Sequence, residues 1–154
     1  MADLTITTRA GEHIRISELR GKVVILAFIS KAACHTTYAL ELLDLIVLEI
    51  GLTHVAGFAC VVDLERNETL REYAPFTIPV AEARRREIAE YIGVSMAGFP
   101  LPQFLVIDRQ GRHRLLLLPR GEDFWETVNN FRMPIEAILD EPIAEPAQQP
   151  EVQV

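Results

Sequence analysis

The most constraining feature of this chain is an unbroken apolar run, Val23-Val-Ile-Leu-Ala-Phe-Ile29, rich in β-branched residues and entered through Gly21-Lys22. A strand with one face in water alternates apolar and polar residues. An unbroken run must be buried on both faces, which calls for covering layers on both sides of a sheet. The run is far shorter than the roughly 20 residues of a membrane helix. It therefore predicts a central strand in the middle of an α/β sheet, and no segment of the chain is expected to span a bilayer.

The flanking patterns extend this reading. Leu4 and Ile6 alternate with polar residues, a turn falls near Ala10-Gly11, and Ile14 and Ile16 alternate again, which predicts an N-terminal β-hairpin. Beyond the central strand, Thr36 and Thr37 are candidate N-caps for a largely buried helix with polar residues at 41, 44 and 49, ending before Gly51. A second buried strand is expected at Val55–Val62, followed by a polar, helix-compatible segment at residues 65–73. This is a βαβα progression.

Residues 75–80 read as an irregular or short extended connector, and residues 82–92 as a helix stopped by Gly93. Residues 104–107, the turn Asp108-Arg-Gln-Gly111 and residues 115–118 predict an antiparallel hairpin, so the sheet becomes mixed. A last helix begins near Glu122, with Phe124, Trp125, Val128 and Phe131 at helical spacing. Pro134 is expected to kink it or to begin a new turn leading to Ile138 and Leu139. Phe124 and Trp125 are expected to be core anchors and lid residues over the sheet. The boundaries are one domain over residues 1–139 and an acidic, Pro-rich tail over 140–154 with the composition of a disordered end.

Charge and cysteine count narrow the chemistry. Fifteen Lys and Arg against 22 Asp and Glu give a net charge of −7. Four of those acids (Asp140, Glu141, Glu145, Glu151) follow Leu139 without a base, so the body carries only −3. That sign argues against nucleic acid or an anionic membrane as partner. The N-terminus lacks a basic region followed by an apolar run, which favours the cytoplasm, or a periplasmic or other extracytoplasmic site if a signal segment has been removed.

Cys34 and Cys60 are the only cysteines and form no CxxC pair, so neither a disulfide framework nor a cysteine-rich zinc site is expected. Cys60 should be buried in its strand. His13, His54 and His113 lie on different elements without ligand spacing, and no metal or cofactor is predicted. Arg84-Arg85-Arg86 reads as a solvated helix face paired with Glu82, Glu87 and Glu90. No Gly-rich phosphate loop, nucleophile elbow or helical His pair is present.

Three ordered stretches carry a family resemblance. Ile16-Ser-Glu-Leu-Arg-Gly-Lys-Val-Val-Ile-Leu-Ala-Phe28 is similar to a "LSDLRGKVVLLNF" opening, and residues 55–63 to a "VVGVSVD" strand. Gly98-Phe-Pro-Leu-Pro-Gln-Phe-Leu-Val-Ile-Asp-Arg-Gln-Gly111 is similar to "GxPTTFLIDxxG". Over residues 3–139 the chain resembles the thioredoxin-like superfamily, in its TlpA-like and AhpC/TSA-like redoxin branch. The resemblance implies a central mixed sheet flanked by helices, thiol-disulfide oxidoreductase chemistry, and a catalytic motif between the first central strand and its helix.

That motif position holds Ser30-Lys-Ala-Ala-Cys-His-Thr-Thr37. Cys34 is the implied nucleophile, but Ala33 replaces the family's Trp, Thr37 stands where the second thiol would be, and the loop is one residue longer. A thiolate is the reactive form, and a helix N-terminus, with His35 and Lys31 nearby, would favour it. With Thr37 unable to release a mixed disulfide, an external thiol or partner protein would have to do so. The resemblance also implies a cis peptide between Leu101 and Pro102 and a peptide-docking role for both. The expected partner is a protein disulfide or a low-molecular-weight thiol.

The alternative is a redox-inactive module of the same fold that binds protein or peptide. In that case Cys34 is a small residual thiol, His35 a solvated loop residue and Pro102 an ordinary proline at the start of a strand. A peroxiredoxin-like peroxidase fits less well, because its PxxxTxxC motif would place Pro and Thr where this chain has Ala27 and Lys31.

Overall fold

A computed structural model describes residues 3–30, 36–51, 53–62, 78–93, 101–119 and 123–142. The polar segment expected at 65–73, the loop residues Lys31, Ala33, Cys34 and His35, and tail residues 143–154 lie outside the described residues.

Two short strands, β1 (Thr5–Thr8) and β2 (His13–Arg15), form the N-terminal hairpin and lead into a 3₁₀ turn, Ile16–Leu19. The apolar run is β3 (Val23–Ile29), and all seven residues are buried. Helix α1 (Thr36–Ile50) and strand β4 (Val55–Val62) follow, then β5 (Val80–Ala83), α2 (Arg85–Ile92), β6 (Gln103–Ile107), β7 (His113–Leu117) and α3 (Phe124–Leu139). Thr36 and Thr37 are the first two helical residues rather than caps preceding the helix.

The seven strands form one mixed sheet in the order β2-β1-β5-β4-β3-β6-β7. β3 pairs in parallel with β4, Val23 opposite Val55 through Ile29 opposite Val61. Its other edge pairs antiparallel with β6. It is thus interior, while β4 holds the middle position.

Strand β5 overturns the expectation of a connector running into a helix at residue 82. It pairs in parallel with β4 and antiparallel with β1, and α2 begins only at Arg85. Ala and Glu favour helices weakly, and the two strand edges on either side outweigh that preference by pairing the backbone of residues 80–83. Ala81 and Ala83 are buried among large side chains, including Ile6 and Ile88.

The side chains of β3 alternate between two cores. Val23, Ile25, Ala27 and Ile29 pack under α1 and α3. Val24, Leu26 and Phe28 belong to the other core, with Ile16 of the 3₁₀ turn and Ile88 of α2. Each such large apolar side chain removed from water contributes roughly 1.5–3 kcal/mol. On the first face α1 approaches β4 at Gly57, where an added Cβ would lie 2.5 Å from Val47 Cγ2.

Helix α2 ends at Gly93, whose φ of +80° places it in the left-handed region and whose N–H donates to the Ala89 carbonyl at 2.8 Å. On its outer face Arg86 pairs with Glu90 at 3.4 Å. Helix α3 continues through Pro134, so the proline does not begin a separate helical segment there. Phe131 before the proline and Ile135 and Ile138 after it are buried in the same core. Trp125 is also corrected: it is 59% exposed, whereas Phe124 packs partly against the core.

At the far end of β6, Asp108 organises the turn. Its Oδ1 accepts the backbone N–H groups of Gln110 and Arg112, each at 2.9 Å. Its Oδ2 accepts Arg112 Nε at 2.9 Å and Arg114 Nη1 at 3.2 Å. Burial alone would raise this carboxyl, but the backbone and side-chain donors of Arg112 and their neighbours outweigh it and hold the group below the usual carboxylate range. Arg114 also forks onto both oxygens of Glu141, and Arg109 Nη1 donates to the Leu139 carbonyl at 2.9 Å. The start of the acidic tail is therefore tied to the domain as far as Glu141.

Two stability measurements follow from this packing. Gly57→Ala should lower stability by about 1–3 kcal/mol, because Val47 has no flexible end to move aside. An unchanged urea midpoint would show that α1 can retreat freely. Asp108→Asn should cost about 1–3 kcal/mol near neutral pH. Because the folded carboxyl lies below its unfolded value, the full difference is present above the ordinary aspartate range and shrinks as acid protonates Asp108 through its lower folded value. A gap independent of pH would contradict the assignment.

Candidate functional site

The last residue of β3, Ile29, is buried, and the chain leaves the sheet there through half-buried Ser30 toward Cys34. Helix α1 begins two residues after Cys34. Its first turn carries no acidic side chain to offset the partial positive charge of the unpaired N–H groups.

Strand β6 returns the chain to the same place. Phe28 lies opposite Gln103, so the preceding residue, Pro102, falls level with the end of β3. Pro102 is buried, Leu101 is half-buried against the core under α2, and the peptide between them is cis. Sequence-identified Leu101 and Pro102 therefore sit where the chain departs for Cys34. Cys34 and His35 lie outside the described residues, and Thr37 is placed only by its backbone, in the first turn of α1.

The structure adds residues that sequence reasoning did not single out. Tyr38, in the first turn of α1, donates its hydroxyl to Thr127 Oγ1 on α3 at 3.0 Å. Its ring meets Phe124 edge-on at 5.5 Å, and Phe124 meets Trp125 in the same way. One sequence signal was available for Thr127: it is a polar residue within the apolar stripe of Phe124, Val128 and Phe131.

The histidines are dispersed. His13 Nδ1 is 3.0 Å from the Thr7 hydroxyl, and the His113 ring meets Tyr91 at 4.5 Å. Among the described residues no group of three or more His, Cys, Asp or Glu side chains could hold a metal ion. A cavity of about 180 Å³ lined by Asp108, Arg109 and Glu141 lies at the opposite end of the sheet from Pro102.

Cys60 is fully buried, as its strand pattern predicts, and it faces the core under α2 while α1 covers the other face. Burial pushes its thiol up to about 12. A sulfur so placed is withdrawn from solvent, and its burial disfavours the thiolate at neutral pH. In the native protein Cys60 should resist iodoacetamide at pH 8 and become reactive on unfolding in denaturant. Rapid native labelling at Cys60, located by peptide mass, would contradict its assigned place.

No protein-family model and no curated protein matches the sequence. Solved structures do match. A candidate thiol:disulfide interchange protein DsbE from Chlorobium tepidum aligns with a TM-score of 0.72 at 18% identity, over 89% of this chain and 93% of that one. A candidate protein disulfide isomerase from Bacteroides thetaiotaomicron gives 0.64 at 25% identity, over 92% and 89%. The exposed lipoprotein thioredoxin of Streptococcus pneumoniae gives 0.60 at 21% identity, over 84% and 99%. The mixed sheet with its flanking helices thus has a thioredoxin-like fold.

Proposed function

We propose that this chain is a thiol-disulfide oxidoreductase-like protein that acts through the single cysteine Cys34. The observation that carries the reading is the register of β3 with β6. It sets Leu101 and Pro102 beside the strand end from which the chain runs to Cys34, just ahead of a helix whose first turn carries no acid. Relatives in shape, one described as a thiol:disulfide interchange protein and one as a protein disulfide isomerase, support the same chemistry.

In this reading the Cys34 thiolate attacks one sulfur of a substrate disulfide. A bond forms between Cys34 and that sulfur, the substrate S–S bond breaks, and the departing thiolate takes up a proton. The helix N-terminus would favour the thiolate, and His35 and the Thr37 hydroxyl are the groups assigned to support it. Leu101 and Pro102 dock the substrate segment. Thr37 has no thiol to release the mixed disulfide, so an external thiol of the glutathione type attacks the sulfur bonded to Cys34, forms the new disulfide with it, and expels Cys34 as the regenerated thiolate.

A supply of such a thiol suits a reducing compartment, which is the basis for placing the protein in the cytoplasm. Among the described residues no helix is long and apolar enough to cross a membrane. The activity is assigned to residues 1–139, with 140–154 as an appended tail.

The test is the rate of Cys34 alkylation against pH. The midpoint should fall at least one unit below the roughly 8.5 of a free cysteine. Exchange between a mixed-disulfide peptide and glutathione should disappear in Cys34→Ser. An ordinary midpoint, with peptide binding intact in Cys34→Ser, would instead make the same surface a binding module without redox chemistry.

A further inference from the structure

We propose that Tyr38 and Thr127 are positioning residues for the cysteine chemistry, tying the first turn of α1 to the start of α3 by a chain of hydrogen bonds. The inference depends on the thiol-disulfide reading for its chemical consequence and on the following geometry for the tie itself.

Tyr38 lies four residues after Cys34, and its hydroxyl donates to Thr127 Oγ1 at 3.0 Å. Thr127 Oγ1 donates in turn to the Asp123 carbonyl at 3.0 Å, an oxygen that also accepts the Thr127 backbone N–H at 2.9 Å. Thr127 is completely buried. Among the described residues it and Asp108 are the polar side chains buried in the core, and the four donors of the β6–β7 turn account for Asp108.

A threonine in a helix can satisfy its own donor by bonding the carbonyl four residues back. That bond alone does not require a second element. The remaining capacity of the hydroxyl oxygen is as an acceptor, and Tyr38 fills it from α1, 89 positions away in sequence. The Tyr38 ring is braced separately, edge-on against Phe124 at an interplanar angle of 85°. One residue of the first turn is thus held to α3 by a directional polar contact and by an aromatic one.

The field that a helix end exerts on an anion fades within one turn, so its effect on a sulfur depends on how that turn is oriented. The first turn of α1 is the turn that Tyr38 holds. Its hydroxyl contact thereby bears on Cys34 through the backbone of that turn.

Tyr38→Phe and Thr127→Val each delete one hydroxyl while keeping the shape, and Thr127→Ser keeps the hydroxyl. Two measurements apply to each folded variant: the pH profile of Cys34 alkylation by iodoacetamide, and amide hydrogen exchange over residues 36–40. Both deletions should raise the profile midpoint by about half a unit, a roughly threefold loss of thiolate at neutral pH. They should also speed exchange in that turn several-fold. The double variant should match the single ones, and Thr127→Ser should behave as wild type.

Unchanged profile and exchange in Tyr38→Phe and Thr127→Val would overturn the proposal, as would Thr127→Ser resembling Thr127→Val. Should Thr127→Val fail to fold, Tyr38→Phe at its half-buried position decides. A wild-type Cys34 that titrates as an ordinary thiol would remove the redox reading instead, and exchange over residues 36–40 would still judge the tie.

Discussion

Burial of β3 on both faces is the constraint on which the rest of the structure depends. Seven consecutive apolar residues cannot lie at a solvated edge, so the sheet must extend on both sides of them and be covered above and below. The parallel neighbour β4 needs a crossover, and α1 provides it across one face. The antiparallel neighbour β6 needs none, and brings Pro102 back to the strand end from which the chain leaves toward Cys34. The candidate site follows from the pairing of one strand with two neighbours of opposite sense.

The two faces are covered differently. Helices α1 and α3 lie over one of them with a continuous set of Leu, Ile, Val and Phe side chains. The 3₁₀ turn and α2 lie over the other, where Cys60, Ala81 and Ala83 are enclosed. The two cysteines therefore belong to different surroundings: one buried under α2, the other on the segment that leads into α1. The two buried polar side chains divide the molecule in a similar way. Asp108 organises the turn at one end of the sheet, and Thr127 lies where α3 sets out from the other end.

Much of the architecture was legible because its signals are local. The apolar runs mark β3 and β4 at their observed limits, Gly93 and Gly51 follow their helices, and the turn at Asp108 is spelled out in its own residues. Leu101 and Pro102 were identifiable from a short motif. Residues 80–83 were not, because Val-Ala-Glu-Ala has no strand pattern of its own and becomes one only between β4 and β1. Trp125 misled for a related reason: helical spacing places it near the apolar stripe, but the stripe that docks is Phe124, Val128 and Phe131.

The sequence by itself determined most of the strand and helix segments, β5 excepted, that two layers must enclose the sheet, and that a lone thiol precedes the first long helix. These follow from periodicity and turn chemistry, which act over a few neighbouring residues. Only the tertiary structure decided that Pro102 lies abreast of Ile29, that β5 exists, and that Tyr38 reaches Thr127. Each of those joins residues far apart in the chain, and such contacts are set by strand order and helix packing rather than by any local pattern.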